Sequence, residues 1–139
     1  MESDARAAGT RDVSRVASLL HTAHAERTLE AYERAVRARI AEEDGGTLVA
    51  GEATLSWALD GGALFLYDLV GEGDALRATV EFAERLANLR FAAVLAATLY
   101  DDDPMLERLR ELGFQSDWTE PEAAGGRLRT LVGLVRAVA

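Results

Sequence analysis

The chain has 139 residues, enough for one domain to bury most of its apolar surface, and its 49% hydrophobic and 28% charged residues mark it as globular. A net charge of −9, spread along the chain, disfavours nucleic acid and anionic membranes as partners, and no apolar run reaches the roughly 20 residues of a membrane helix. Cysteine is absent, which removes disulfides and thiolate chemistry, and the polar N-terminus lacks the apolar core of a signal peptide, so the expected compartment is the cytoplasm.

No repeat, linker or low-complexity block divides the sequence, so residues 1–139 read as a single domain. Ala5-Arg6-Ala7-Ala8 is a short candidate strand. Thr10 is placed to cap a first helix running to about His21, with Val13, Val16, Ala17, Leu19 and Leu20 as its apolar stripe. A second helix is expected from about Thr28, with Leu29, Tyr32, Ala35 and Val36 on one side. The alternation in 36–42, followed by the turn signal Glu43-Asp44-Gly45-Gly46, suggests a strand leading into a hairpin. Strands are therefore expected near 36–42, 47–58 and 63–70, with Asp60-Gly61-Gly62 as a second turn.

Asp74 can cap a third helix through about Asn88, with Leu76, Val80 and Ala83 facing inward. Residues 91–99 form a nearly continuous apolar strand, as expected for a central position covered on both faces. Asp103 and Pro104 open a fourth helix that Gly113 closes. The last strands are expected at 114–119 and 128–138, joined by a loop over 120–126.

The order of these elements and the stretch 91–114, where an apolar strand runs into Asp101-Asp102-Asp103-Pro104 and a short helix ends at Gly113-Phe114, resemble the GNAT superfamily of acyl-CoA-dependent N-acyltransferases. Arg6-Ala7-Ala8-Gly9-Thr10-Arg11-Asp12 is similar to that family's opening, and the match runs over nearly the whole chain. The resemblance implies an α/β (α+β) fold, with a central, mostly antiparallel sheet of six or seven strands flanked by about four helices. It also implies an N-acetyltransferase that passes an acetyl group from acetyl-CoA to an amine.

Such a reaction needs backbone donors for a diphosphate at a helix N-terminus, a splayed strand pair for the pantetheine arm, and a base for the amine proton. By resemblance, the diphosphate falls at Val70-Gly71-Glu72-Gly73-Asp74-Ala75, with the amides of Gly71, Gly73 and Ala75 and the side chain of Arg77 as its ligands. This loop is shorter than the family's and lacks its leading Arg or Gln. Glu72 and Asp74 bring like charge to the diphosphate, each costing roughly 4 kcal/mol at about 4 Å and an effective dielectric near 20. The backbone of Leu69 and Val70 would pair with the pantetheine arm. Asp68, a carboxylate interrupting an apolar strand, is the candidate base, and Tyr100 the candidate acid.

Two positions depart from the family pattern. Its frequent phenol, four residues before Gly-Phe, is Leu109, and its frequent Asn at the mouth of the last βα turn is Asp102, which remains a candidate cofactor contact. These departures keep a second reading open, a GNAT-like scaffold without coenzyme A that acts as an interaction or regulatory module. The acidic rim suits a cationic amine as acceptor. The last strand, 128–138, is read as an apolar edge strand that invites pairing, which makes a homodimer possible with either reading. No metal site is expected: His21 and His24 lack further ligands, and Asp101–Asp103 lack the spacing of a calcium loop.

Overall fold

The computed structural model describes residues 4–139. Its elements are β1 (Arg6–Ala7), a 3-10 turn (Thr10–Asp12), α1 (Val13–Ala23), α2 (Leu29–Ile40), β2 (Gly45–Ala50), β3 (Ala53–Asp60) and β4 (Ala63–Val70). They continue with α3 (Gly73–Leu89), β5 (Val94–Tyr100), α4 (Met105–Glu111), β6 (Gln115–Ala124) and β7 (Arg127–Ala137). The seven strands form one sheet in the order β1-β2-β3-β4-β5-β7-β6. All neighbours are antiparallel except β4 and β5, which run parallel.

Each face of the sheet carries a helical layer. Leu76, Val80 and Ala83 of α3 and Met105, Leu106 and Leu109 of α4 pack on one face, against residues such as Leu55, Leu64 and Leu95. Val13, Val16 and Leu20 of α1 with Tyr32 and Val36 of α2 pack on the other, against Val49. Leu48 joins the first cluster and its neighbour Val49 the second, as the alternation of a strand requires. Among the described residues, no helix is long and apolar enough to cross a membrane.

The element order matches the expectation, but several boundaries differ. Residues 36–42 are not a strand: Tyr32, Val36 and Ile40 fall at i, i+4 and i+8, and their common stripe on the second core keeps α2 helical to Ile40. The helix begins beside Thr28 as expected, and the Thr28 hydroxyl caps it, accepting from the Ala31 amide at 3.1 Å. The long run 47–58 is two strands, broken at the two-residue turn Gly51-Glu52, where Gly51 has φ +54° and Ala50 pairs with Ala53. Gly46, expected in a turn, lies within β2; a Cβ there would sit 2.9 Å from the Trp57 indole nitrogen.

Further along, β5 starts at Val94 rather than Phe91, whose φ of +59° and 93% exposure place it in the preceding turn. Asp74 lies inside the first turn of α3, and Glu72 holds the cap position. The expected loop 120–126 is mostly strand, because β6 and β7 close through Gly125-Gly126 at φ +58° and +78°. β7 is interior, flanked by β5 and β6, so the basis for self-pairing through 128–138 is removed. The strand at that edge is β6, which carries Asp117, Glu120, Pro121 and Glu122, residues that discourage edge pairing.

Thr10 does not cap α1; Asp12 organises that corner instead. Its carboxylate accepts from Arg6 Nη1 and Nη2 at 2.8 and 2.7 Å and from the Gly9 amide at 2.8 Å, tying β1 to the start of α1. The Arg6 bonds, foremost among the causes, hold Asp12 down at a pKa of about 2. Its folded-state pKa is thus below the unfolded value of roughly 3.9, so its stabilisation is complete above that value and is lost as pH falls through about 2. Acid titration of stability should therefore show a loss between about pH 4 and pH 2 that Asp12→Asn flattens; an identical profile in the variant would refute this account.

Candidate functional site

The site originates in an irregularity of β4. Leu64, Leu66 and Leu69 all join the α3/α4 core, yet 66 and 69 are separated by two residues rather than one. The pairing of β3 with β4 shifts between Thr54 and Ser56 to admit the extra residue, and Asp68 takes φ +51° in this bulge. β4 pairs with β5 from Ala63–Val94 to Leu66–Ala97 and no further. Past that point, among the described residues, Tyr67–Val70 and Thr98–Tyr100 have parted, and their facing main-chain groups are unpaired across the gap.

This gap opens into a cleft of about 320 Å³, walled by Tyr67, Asp68 and Leu69 on one side and Thr98 and Leu99 on the other. Leu20, His24 and Tyr32 close it from the helical layer. The Tyr32 hydroxyl donates to the His24 carbonyl and so fastens the α1–α2 connection over the cleft; burial, before any neighbouring charge, pushes this phenol up. Asp68 is 33% exposed and forms an ion pair with Arg39 of α2, whose guanidinium lies 5.0 Å from the centre of the Tyr67 ring. Tyr67 is likewise pushed up, chiefly by burial.

At the end of β4 lies the corner expected to face a diphosphate. Gly71 has φ +120°, and a Cβ there would come within 2.5 Å of the Ala53 Cβ, so only glycine fits. Gly73 follows at φ +63°. Glu72 makes no side-chain bond to the helix it caps, so its carboxylate does not occupy the first-turn amides of α3. It is 77% exposed and lies 3.5 Å from Arg108 of α4, while Arg108 Nη1 donates to the Gly71 carbonyl at 3.1 Å. Gly73 and Arg77 border a hollow of about 500 Å³ with Arg108. Gly71 and Ala75 border a second, of about 310 Å³, again with Arg108.

Tyr100 and Asp102 belong to a different cluster. The Tyr100 hydroxyl donates to Glu122 of β6, the Arg129 guanidinium of β7 stacks 3.6 Å from the Tyr100 ring centre, and Arg129 also donates to Asp102 at 2.8 Å. Leu109, at the family's phenol position, is fully buried on the sheet-facing side of α4 and has a packing role. Val70 packs against the α1/α2 core, leaving its main chain at the gap. Sequence reasoning missed Arg39 and Arg108. The strand reading of 36–42 hid Arg39 from β4, whereas Arg108 has no marker in sequence, being one of several arginines on helical flanks. The spacing Leu64-x-Leu66-x-x-Leu69 was the available signal for the bulge.

No protein-family model matches the chain, and no curated protein matches it in sequence. Solved structures do match in shape. An aminoglycoside 6'-N-acetyltransferase complexed with coenzyme A superimposes with a TM-score of 0.81 at 12% identity, over 97% of each chain. The ribosomal-protein-alanine N-acetyltransferase from Brucella melitensis gives 0.75 at 17% identity, over 96% of this chain and 98% of that one. The yncA structure from Salmonella typhimurium, with its cofactor acetyl-CoA, gives 0.74 at 17% identity, over 97% and 93%.

The Tyr100 cluster yields a direct check. Ionising this phenol would set a phenolate against Glu122, so the hydrogen bond to Glu122 foremost, and its charge as well, hold Tyr100 above the usual tyrosine range. In Glu122→Ala, spectrophotometric titration should find one tyrosine moved down; an unmoved titration would break the assignment. Strand order, the parted β4 and β5 and these superpositions together establish that the chain has the GNAT fold.

Proposed function

We propose that the chain is an N-acyltransferase that moves an acetyl group from acetyl-CoA to an amine. The observation that carries this reading is the unpaired main chain of Tyr67–Val70 opposite Thr98–Tyr100, leading to first-turn amides of α3 that their own cap leaves free. The residues present fit the cofactor. An extended amide-bearing arm suits the open strand backbone, and an anion suits a helix N-terminus flanked by Arg77 and Arg108. The acidic side chains at this corner are exposed, where the effective dielectric approaches that of water and one like charge at about 4 Å costs only about 1 kcal/mol.

Acetyl-CoA supplies the activated thioester; the remaining steps fall to the chain. The Leu69 and Val70 backbone holds the pantetheine arm, and the Gly71, Gly73 and Ala75 amides with Arg77 hold the phosphates. Asp68 takes the proton from the attacking amine as the carbon–nitrogen bond forms and the carbon–sulfur bond breaks, coenzyme A departing as a thiolate that solvent protonates. The pairing of Asp68 with Arg39 fixes the carboxylate at the cleft wall. For Tyr100, the contacts with Glu122 and Arg129 support positioning of the β5 end, with Asp102 anchored beside it. Glu26, Asp68 and Asp103 at the cleft favour a cationic amine as acceptor.

Thermal-shift titration tests the reading. Acetyl-CoA at 100 times its dissociation constant should add about 2.7 kcal/mol of stability, raising Tm by several degrees. No shift at millimolar cofactor would favour the coenzyme-free scaffold instead. In a protein that does bind, Asp68→Asn should lower kcat by about 100-fold with KM for acetyl-CoA near wild type. Undiminished turnover would remove Asp68 from the proton transfer.

A further inference from the structure

We infer that Arg108 of α4 supplies the diphosphate-binding cation that the β4–α3 turn lacks, and that Glu72 competes with the ligand for it. The inference rests on the N-acyltransferase reading. No Arg or Gln stands before Gly71 in the short turn, so beyond Arg77 of α3 a cation at this corner must come from an element outside the β4–α3 unit. Arg108 arrives from α4, which buried Met105, Leu106 and Leu109 fix against the sheet. It borders both hollows beside the turn, the one containing Gly73 and Arg77 and the one containing Gly71 and Ala75.

Its donors are not exhausted. One goes to the Gly71 carbonyl at 3.1 Å, while the approach to Glu72, at 3.5 Å, is longer than a charge-assisted hydrogen bond. A guanidinium carries five N–H donors in a planar fork matched to phosphate oxygens. Arg108 is 37% exposed, so this fork is within reach of a ligand in either hollow. Glu72 is 77% exposed and bonds nothing in its helix, so its pairing with Arg108 is a weak surface contact. A diphosphate carries more charge and more acceptors, and it displaces such a carboxylate. The same guanidinium thus changes partner, from Glu72 in the free protein to phosphate in the complex, while its bond to Gly71 keeps it in place.

Titration calorimetry of the full chain with acetyl-CoA, repeated over a salt series, tests this. Arg108→Gln should weaken binding about tenfold or more at low salt, with the gap narrowing as salt screens the contact. Glu72→Gln, an exposed substitution that leaves the core untouched, should tighten binding several-fold at low salt. An Arg108→Gln affinity equal to wild type, or a loss of the same size at every salt, overturns the phosphate contact and leaves the N-acyltransferase reading standing. Unchanged or weaker binding in Glu72→Gln overturns the competition. A wild-type chain that does not bind acetyl-CoA overturns the N-acyltransferase reading, and this inference falls with it.

Discussion

Leu66 and Leu69 both point under α3 and α4, although a regular strand would send them to opposite faces. The chain meets this requirement by inserting one residue into β4, at the cost of a left-handed backbone at Asp68. A bulge of this kind sharpens local twist. The end of β4 turns away from β5, and four paired positions give way to an open wedge. The cleft, the orientation of Asp68 and the approach to α3 all depend on that single added residue. Burying a leucine is worth about 2–3 kcal/mol, comparable to the strain of a non-glycine residue in the left-handed region, so the core can enforce the distortion.

The corner beyond the bulge is fixed by sterics and only modulated by charge. Gly71 lies so close to Ala53 that no side chain fits, which sets where the first turn of α3 begins. Around this fixed backbone, Glu72 and Arg108 form a loose pair. The structure thereby modifies the forecast drawn from Glu72 and Asp74 in the loop sequence, because two carboxylates near a helix start repel an anion strongly only when desolvated. Here both are exposed, and a guanidinium from α4 stands beside one of them.

Architecture was largely legible in the sequence because its signals are local. Thr28 announces a helix start, Gly61 a hairpin, and Gly113 a helix end, each through a short-range rule. Where two periods competed, the structure followed the one that buried more. Val36 to Glu42 alternates like a strand, yet Tyr32, Val36 and Ile40 share a helical stripe on the α1 side of the sheet. The hairpin at Gly51-Glu52 was missed because 47–50 and 53–57, buried on both faces, read as one continuous strand. The candidate site was less legible. Asp68 and Leu69 do line the cleft, but Arg39, which pairs with Asp68, and Arg108, which bonds the Gly71 carbonyl, come from helices distant in sequence. Nothing in the spacing of either arginine foretells a meeting that only the packed layers create.

A recognition surface made from peptide groups imposes few requirements on the side chains around it. Across the wedge between Tyr67–Val70 and Thr98–Tyr100, an incoming molecule faces amide and carbonyl groups whose pattern is the same for any residue. Substitution along either strand can alter shape and polarity while leaving that hydrogen-bonding ladder unchanged. The positions that do demand a particular residue are few, with glycine at 71 foremost. Such a chain can drift far in sequence, as long as the places where its backbone turns, parts and closes are kept.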